Sequence, residues 1–348
     1  MKRIAIVAHG LSDGGAERVA ALLANKLYER GNKVLFIAAY SSERVYKLSE
    51  GIDYVYIEKG SNKYTRFLSR TVAIDRAIEE YQSDVVISFI FKEILKTSVK
   101  GKVPIVYSLR IDPANATAKL GNRILCNYTY SRAKAIVFQT PDARDFFKEK
   151  IRQKGVVIGN PLTPNLPLWD ADNHDKRIIT ACRLTEQKNL PMLIKGFAEF
   201  SKYYPDYSLW IYGKGPLKDE LQKLAKICQV EDKVYLPGYA NNIHEIMAHS
   251  AVFALTSDFE GLSNSMLEAL AIGVPTVCTD CPPGGAALYI RDHVNGLLIP
   301  VGDEMELVKA FLECASKPEL MKSFSKAARE IRYSLDEDAV VTQWSKLL

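Results

Sequence analysis

Two glutamates separated by seven residues, Glu260 and Glu268, stand on either side of a polar turn in FALTSDFEGLSNSMLEALAIG, Phe253–Gly273. A carboxylate accepts hydrogen bonds only, which suits it to sugar hydroxyls. Ser263 or Asn264 is placed to cap the helix formers that follow, Met266 to Ala271, and Gly273 to stop them. The first turn of such a helix carries backbone N–H groups without intrahelical partners at the positive end of the helix dipole, a combination that favours phosphate. Sugar binding beside phosphate binding is nucleotide-sugar chemistry, and this stretch is read as a nucleotide-sugar site.

Cations that suit a diphosphate occur in CRLTEQKN, Cys182–Asn189. Arg183 and Lys188 follow an apolar run, and each charge-assisted bond to a phosphate contributes about 1.5–3 kcal/mol. Loop cations are commonly only solvated, but two in one loop at the end of a strand favour a binding role. In HGLSDGGAER, His9–Arg18, Gly14 and Gly15 would let a ligand approach the backbone, and an ordinary turn with a flexible joint fits the same residues equally. This stretch is not a G-x-G-x-x-G, so the dinucleotide fingerprint fails. Gly213 and Gly215 in YGKGP either admit a ligand or form a turn, and are read as a turn. Cys278 and Cys281 form one C-x-x-C without a second, which reads as buried thiols in a reducing cytosol rather than as a metal or redox pair.

The elements that must position these residues alternate strand and helix. Apolar runs predict strands at 4–8, 34–38, 54–57, 85–89, 105–108, 135–138 and 156–158, then at 178–181, 208–212, 234–236, 252–255 and 276–278. Alternation at this spacing implies right-handed βαβ units and parallel sheets. Prolines 161, 164 and 167 and the polar run 170–176 read as a linker. The expected division is a Rossmann-like domain over 1–160, a linker over 161–176, a second Rossmann-like domain over 177–330 that binds the nucleotide sugar, and a helical segment over 331–348 returning to the first domain. The expected class is therefore α/β, with two domains facing each other across a cleft.

At 348 residues, 47% of them hydrophobic and 25% charged, the chain has the balance of a soluble globular protein with two cores. The net charge of +5 fits anionic ligands or an anionic membrane surface and is too small to argue for nucleic acid. No apolar run approaches the ~18 residues that span a bilayer, and the opening MKRIAIVAHG is too short for a signal-peptide core, so the expected location is the cytoplasm. Lys63–Arg76 mixes cations with Tyr64, Phe67, Leu68 and Val72. A surface helix of that kind lies on an anionic leaflet, and a domain helix with one buried face fits the pattern as well.

GGAER, R-L-x-x-x-K, YGKGP, EGLSNSMLEAL and PPGG followed by NGLLIPVGD occur in one order along nearly the whole chain. In this the sequence resembles the retaining family 4 glycosyltransferases of the GT-B fold, whose most specific signal is E-x7-E, here Glu260 and Glu268. The resemblance implies that Arg183 and Lys188 hold the donor diphosphate, that Glu260 sits beside the transferred sugar, and that Gly261, Leu262, Ser263 and Asn264 present backbone N–H groups to sugar and phosphate. It further implies Glu268 on the ribose hydroxyls, and Gly15, beside Gly14, near donor phosphates and acceptor.

The chain also departs from the pattern. Cys182 replaces a common glycine, and SLRIDP stands where many members carry a histidine, so Arg110 and Asp112 become acceptor-side candidates, or else a structural ion pair. Metal-using transferases of the other major fold hold their ion with D-x-D at a strand end. Here Asp170–Asp172 falls in the linker and Asp336–Asp338 in a polar break, so no metal and no cofactor are expected.

The activity implied is retaining transfer of a hexose or N-acetylhexosamine from a nucleoside diphosphate sugar, first of all a UDP-sugar. The acceptor would be a hydroxyl of a glycan or lipid-linked saccharide in surface polysaccharide assembly, with peripheral contact to the membrane. Competing readings are an epimerase or hydrolase of the same architecture and a non-catalytic nucleotide-sugar-binding subunit. A dehydrogenase fits least.

Overall fold

A computed structural model describes residues 1–12, 14–57 and 66–348. The chain divides into two compact units, Met1–Pro161 with Glu337–Leu348, and Leu162–Asp336.

The first unit is built on a seven-stranded sheet. Its strands are β1 (Arg3–Ala8), β2 (Lys33–Ala38), β3 (Asp53–Tyr56), β4 (Val85–Ser88), β5 (Ile105–Ser108), β6 (Ala135–Phe138) and β7 (Gly155–Val157). All pair in parallel, in the order β3-β2-β1-β4-β5-β6-β7. Ile4 lies between Val34 and Val85, and fully buried β-branched and aromatic side chains fill the middle of the sheet. That is why these strands read as unbroken apolar runs rather than alternating ones. Strand order reverses between β1 and β4, the switch point at whose carboxyl edge open α/β sheets bind ligands.

The second unit has six strands: β8 (Asp175–Ala181), β9 (Ser208–Tyr212), β10 (Val234–Gly238), β11 (Ser250–Leu255), β12 (Thr276–Thr279) and β13 (Leu297–Ile299). They are also all parallel, in the order β10-β9-β8-β11-β12-β13, with the switch point between β8 and β11. β11 is buried along its whole length. β13 is absent from the strands expected from sequence, because three residues between a turn and a proline carry no period.

Two features differ from the sequence reading. The proline-rich stretch expected as a linker packs within the second unit: Leu166 and Trp169 are buried, the Trp169 N–H bonds the Ile272 carbonyl, and its indole N–H bonds that of Ser250. Beyond β13 the chain forms the helices Glu304–Ser316, Pro318–Ala328, Ile331–Ser334 and Glu337–Ser345, the first two separated at Pro318. Finally, only residues from Glu337 onward join the first unit, where Trp344 is fully buried, stacks on Phe89 and lies under the Arg110 guanidinium.

Lys63 and Tyr64 of the expected surface segment lie outside the described residues. The part that is described, the helix Arg66–Glu80, buries Thr71, Ile74, Asp75 and Ile78, and is a domain helix with one buried face. Among the described residues, no helix is long and apolar enough to cross a membrane.

Candidate functional site

In the second unit the loops leaving β8 and β11 lie side by side at the switch point and are stitched together. Gln187 donates its side-chain amide to the Phe259 carbonyl at 2.8 Å, and the Asp258 N–H donates to the Gln187 carbonyl at 2.9 Å. Thr256 Oγ1 bonds the carbonyls of Lys188 and Asn189. Asn189 adopts a left-handed conformation, caps the helix Leu190–Phe200 and donates to Asp258. Asn tolerates that backbone at lower cost than other non-glycine residues, which explains its presence where loop becomes helix.

This stitching brings Lys188 to Glu260. Lys188 Nζ donates to Glu260 Oε2, and Ser257 Oγ lies 3.4 Å from the same oxygen. Lys188 is buried and Glu260 nearly so, which strengthens their attraction over that of a surface pair. Arg183, in the same loop, is exposed. The cations and carboxylate singled out from sequence thus fall at one place, Arg183 and Lys188 on one loop and Glu260 on the next.

The helix Asn264–Ile272 begins beside them. Ser263 is its N-cap, taking the Met266 N–H on Oγ at 3.4 Å, and Gly273 ends it at φ +89°. Gly261 and Asn264 are half-buried, Leu262 and Ser263 buried. Glu268 is buried one turn in, with both oxygens engaged. Thr163 Oγ1 donates to Oε1 at 2.9 Å, and His244 Nε2 lies 3.0 Å from Oε2. Sequence reading missed both partners. His244 had one available signal: it is a polar residue close behind the carboxyl end of a strand, β10, which is where this fold collects ligand groups.

Three glycines are explained by neighbouring backbone. A Cβ on Gly213, at φ +135°, would lie 1.8 Å from the Cys182 carbonyl oxygen, and one on Gly215 would lie 2.3 Å from that of Leu184. These two glycines admit the 182–184 loop. A Cβ on Gly285 would meet the Gly261 carbonyl oxygen at 1.8 Å, while the Glu260 N–H bonds the Pro282 carbonyl at 2.9 Å, so the PPGG segment seats the turn that holds Glu260.

Thiols border this site without being exposed to it. Burial pushes Cys182 above the ordinary thiol value, Cys281 up to about 11, and Cys278 well above it. All six cysteines are free. Among the described residues, no three His, Cys, Asp or Glu side chains cluster as a metal site. A concavity of about 290 Å³ lined by His174, Arg177 and His249 lies at the other end of the sheet, around the first residues of β8 and β11, and is separate from these loops.

In the first unit the candidates also gather at the carboxyl edge. Gly14 is the N-cap of the helix Gly15–Glu29, and Gly15, exposed, is its first residue; Asp13 lies outside the described residues. Arg110 bonds Ser108 Oγ through Nε and Asn160 Oδ1 through Nη1, with Gln139 on the same Asn160 oxygen. Asp112 caps the short helix Pro113–Ala116, accepting from the N–H groups of Ala114 and Asn115. The ion pair weighed for Arg110 and Asp112 is replaced by these separate attachments.

Nearer the switch point is a cluster the sequence reading did not assemble. His9 stacks on Tyr40 at 4.8 Å, Tyr40 donates to the buried Glu93, and Arg70 lies over the Tyr40 ring at 4.0 Å. Desolvation first, then the Glu93 bond, holds the Tyr40 hydroxyl protonated well beyond the usual range.

A family model described as Glycosyltransferase Family 4 matches residues 13–166, and one described as Glycosyl transferases group 1 matches residues 169–331. The chain belongs to the family 4 glycosyltransferases. Among relatives, this glycosyltransferase is 24% identical, over 100% of its own length and 98% of the other's, to a Campylobacter jejuni alpha-1,4-N-acetyl-D-galactosaminyltransferase named for a GalNAc-containing diphospho-undecaprenol saccharide. It is 34% identical, over 52% of itself and 48% of the other chain, to a second N-acetylgalactosaminyltransferase of that organism whose name also specifies a diphospho-undecaprenol saccharide. Its fold matches that of Anabaena HepE, solved with UDP and glucose, with a TM-score of 0.82 at 18% identity over 99% of both chains. The fold is GT-B, as the resemblance implied.

Proposed function

We propose that this family 4 glycosyltransferase moves a hexose or N-acetylhexosamine from a UDP-sugar to a hydroxyl of a lipid-linked saccharide, retaining the anomeric configuration and using no metal ion. The observation that carries the reading is the Lys188–Glu260 pair at the carboxyl edge of β8 and β11, with Glu268 one turn into the helix that follows Glu260. A cation and a carboxylate adjacent at a switch point match the two ends of a sugar diphosphate. Lys188, with Arg183, neutralises the leaving diphosphate, while Glu260 accepts hydrogen bonds from the sugar. Glu268, oriented by Thr163 and His244, receives the ribose hydroxyls. The backbone of Gly261 to Asn264 turns toward sugar and phosphate, and Gly14, Gly15, Arg110 and Asp112 lie toward the acceptor.

In the step itself, the acceptor oxygen bonds the anomeric carbon on the face from which the diphosphate departs. The carbon–oxygen bond to phosphate breaks, and the hydroxyl proton passes to the departing phosphate oxygen. Cations preset around that phosphate lower the barrier because they need no reorganisation as charge develops. The C. jejuni relatives named for diphospho-undecaprenol substrates support the lipid-linked acceptor, and the HepE complex with UDP supports the donor. Calorimetry against UDP, GDP and ADP sugars tests the donor. Tightest binding of a UDP-sugar is expected, and binding of GDP or ADP sugars alone would refute it. The anomeric coupling in the product spectrum then tests retention.

A further inference from the structure

The helix Leu120–Ser131 of the first unit turns one face inward and leaves the other unpartnered. Cys126, Thr129 and Tyr130 are buried, whereas Leu120, Ile124 and Tyr128 are exposed, the first two at 62% each. Positions i, i+4 and i+8 share one side of a helix, so the three form a continuous apolar stripe. Ile111, 55% exposed, precedes it at the carboxyl end of β5, next to Arg110. Apolar side chains of this size scattered singly on a surface need no explanation, but a stripe along one helix does.

Charge identifies what covers it. Between Leu95 and Lys134 the chain carries eight lysines and arginines and a single acidic residue, Asp112, whose carboxylate caps a helix. The whole chain has 46 cations and 41 acids, so outside this stretch acids outnumber cations. Lys96 and Lys100 of this stretch pair with Asp75 and Glu79, and its uncompensated positive charge includes Lys119, Arg123 and Arg132, on and beside the helix. Lys119 and Arg123 flank the stripe, both exposed, and among the described residues neither has an acidic partner. Arg132 lies over the Tyr128 ring at 5.2 Å. The exposed face of Arg66–Glu80 has Leu68 and Val72 but also carries Glu79 and Glu80, and so lacks this one-signed rim.

We infer that the Leu120–Ile124–Tyr128 stripe with its basic rim seats this unit on an anionic lipid bilayer. The apolar side chains enter the boundary between headgroups and acyl chains, and Lys119 and Arg123 meet the lipid phosphates. The stripe begins at the carboxyl edge of the sheet, the edge that also carries Arg110 and Asp112, so a lipid-linked saccharide held in the same leaflet would be presented there. This last point rests on the proposed acceptor. Bilayer binding does not, because it requires no acceptor and is measured without one.

Flotation of the full chain with extruded vesicles tests the inference. Binding is expected to phosphatidylglycerol–phosphatidylcholine vesicles at low salt and to fall as salt rises. The double variant Leu120→Asp/Ile124→Asp should lower it at least about tenfold, and Lys119→Glu/Arg123→Glu several-fold. Leu68→Ser/Val72→Ser should bind as wild type. All replaced side chains are exposed, and unchanged melting and UDP binding verify that each variant is folded. The inference is overturned if the wild type does not float with anionic vesicles or if Leu120→Asp/Ile124→Asp floats undiminished. It is equally overturned if the stripe variant instead disperses a dimer of this chain that itself binds no vesicles.

Discussion

His244 Nε2 lies 3.0 Å from Glu268 Oε2, and Thr163 Oγ1 donates to the other oxygen of the same carboxylate. The carboxylate is thereby fixed in orientation before any ligand arrives, which reduces the ordering cost of binding. Glu268→Ala should raise the donor KM by about 10- to 100-fold with a smaller effect on kcat, as expected for loss of a charged hydrogen-bond acceptor. His244→Ala should raise it by only about 2- to 10-fold, because Glu268 remains. Steady-state kinetics with varied donor checks both, and an unchanged KM in both variants would remove Glu268 from the donor site.

Lys188 and Glu260 should be coupled energetically as well as chemically. Lys188→Ala leaves a largely buried carboxylate without its cation, for an expected loss of about 1–3 kcal/mol of stability and about 10²- to 10³-fold in kcat. The paired change Lys188→Met/Glu260→Gln should recover much of the stability and none of the activity. Denaturant melts and initial rates on the wild type, Lys188→Met, Glu260→Gln and the double variant measure this, and additive stability losses would contradict the coupling.

Gly285→Ala should act on catalysis through the backbone. The added Cβ collides with the Gly261 carbonyl and must displace the turn that carries Glu260. Gly31→Ala is the control for backbone strain without collision: it sits at positive φ, +82°, where Gly285 does not, and no atom lies within 4 Å of its new Cβ. The control should cost about 1 kcal/mol and keep its kcat, whereas Gly285→Ala should lose stability and kcat together. Thermal melts with initial rates separate the two outcomes.

The thiols near the site should resist alkylation. With burial raising Cys281 to about 11 and Cys278 well above the ordinary thiol value, both stay protonated at pH 8, and the thiolate population grows only as pH approaches the raised value. Mass spectrometry after iodoacetamide treatment at pH 8 should find Cys278 and Cys281 unmodified in folded protein and modified after denaturation. Labelling of the native pair at pH 8 would contradict the buried environment.

On the proposed role of Arg183, Lys188 and the start of the Asn264–Ile272 helix as the positive charge facing the leaving diphosphate, transfer should persist in EDTA. Loss of activity on chelation, reversed by adding Mg²⁺ or Mn²⁺, would contradict that assignment.

Strands and their contents were legible in the sequence because a buried parallel strand is a local fact: Ile4 to Ala8 or Val252 to Leu255 has to be apolar throughout. The pair of Glu260 with a cation was half legible. The loop containing Lys188 could be named, but its attachment through Gln187, Asn189 and Thr256 depends on β8 and β11 being neighbours, and strand order is not written in alternation. The pairing of Glu268 with Thr163 and His244 was not legible for the same reason, since both lie far from it in the chain, although the place of His244 behind β10 was a signal for His244 itself. Prolines misled in one place. They prevent regular structure around Pro164 and Pro167 but do not prevent packing, and Leu166 and Trp169 are buried there. Backbone proximity explained Gly213 and Gly215, where sequence could say only that a turn or a ligand needed room.

The helix Glu337–Ser345 belongs to the unit that the chain otherwise leaves at Pro161, with Trp344 buried against Phe89 beneath Arg110. The halves of this enzyme are consequently not interchangeable cassettes. A chimera that grafts the first unit of a relative onto residues 162–336 must also import the relative's final helix, or it will exchange one scaffold while keeping the other's keystone. The same arrangement makes the far end of the chain a remote handle on the first unit, where a shortened C-terminus would be felt at Arg110.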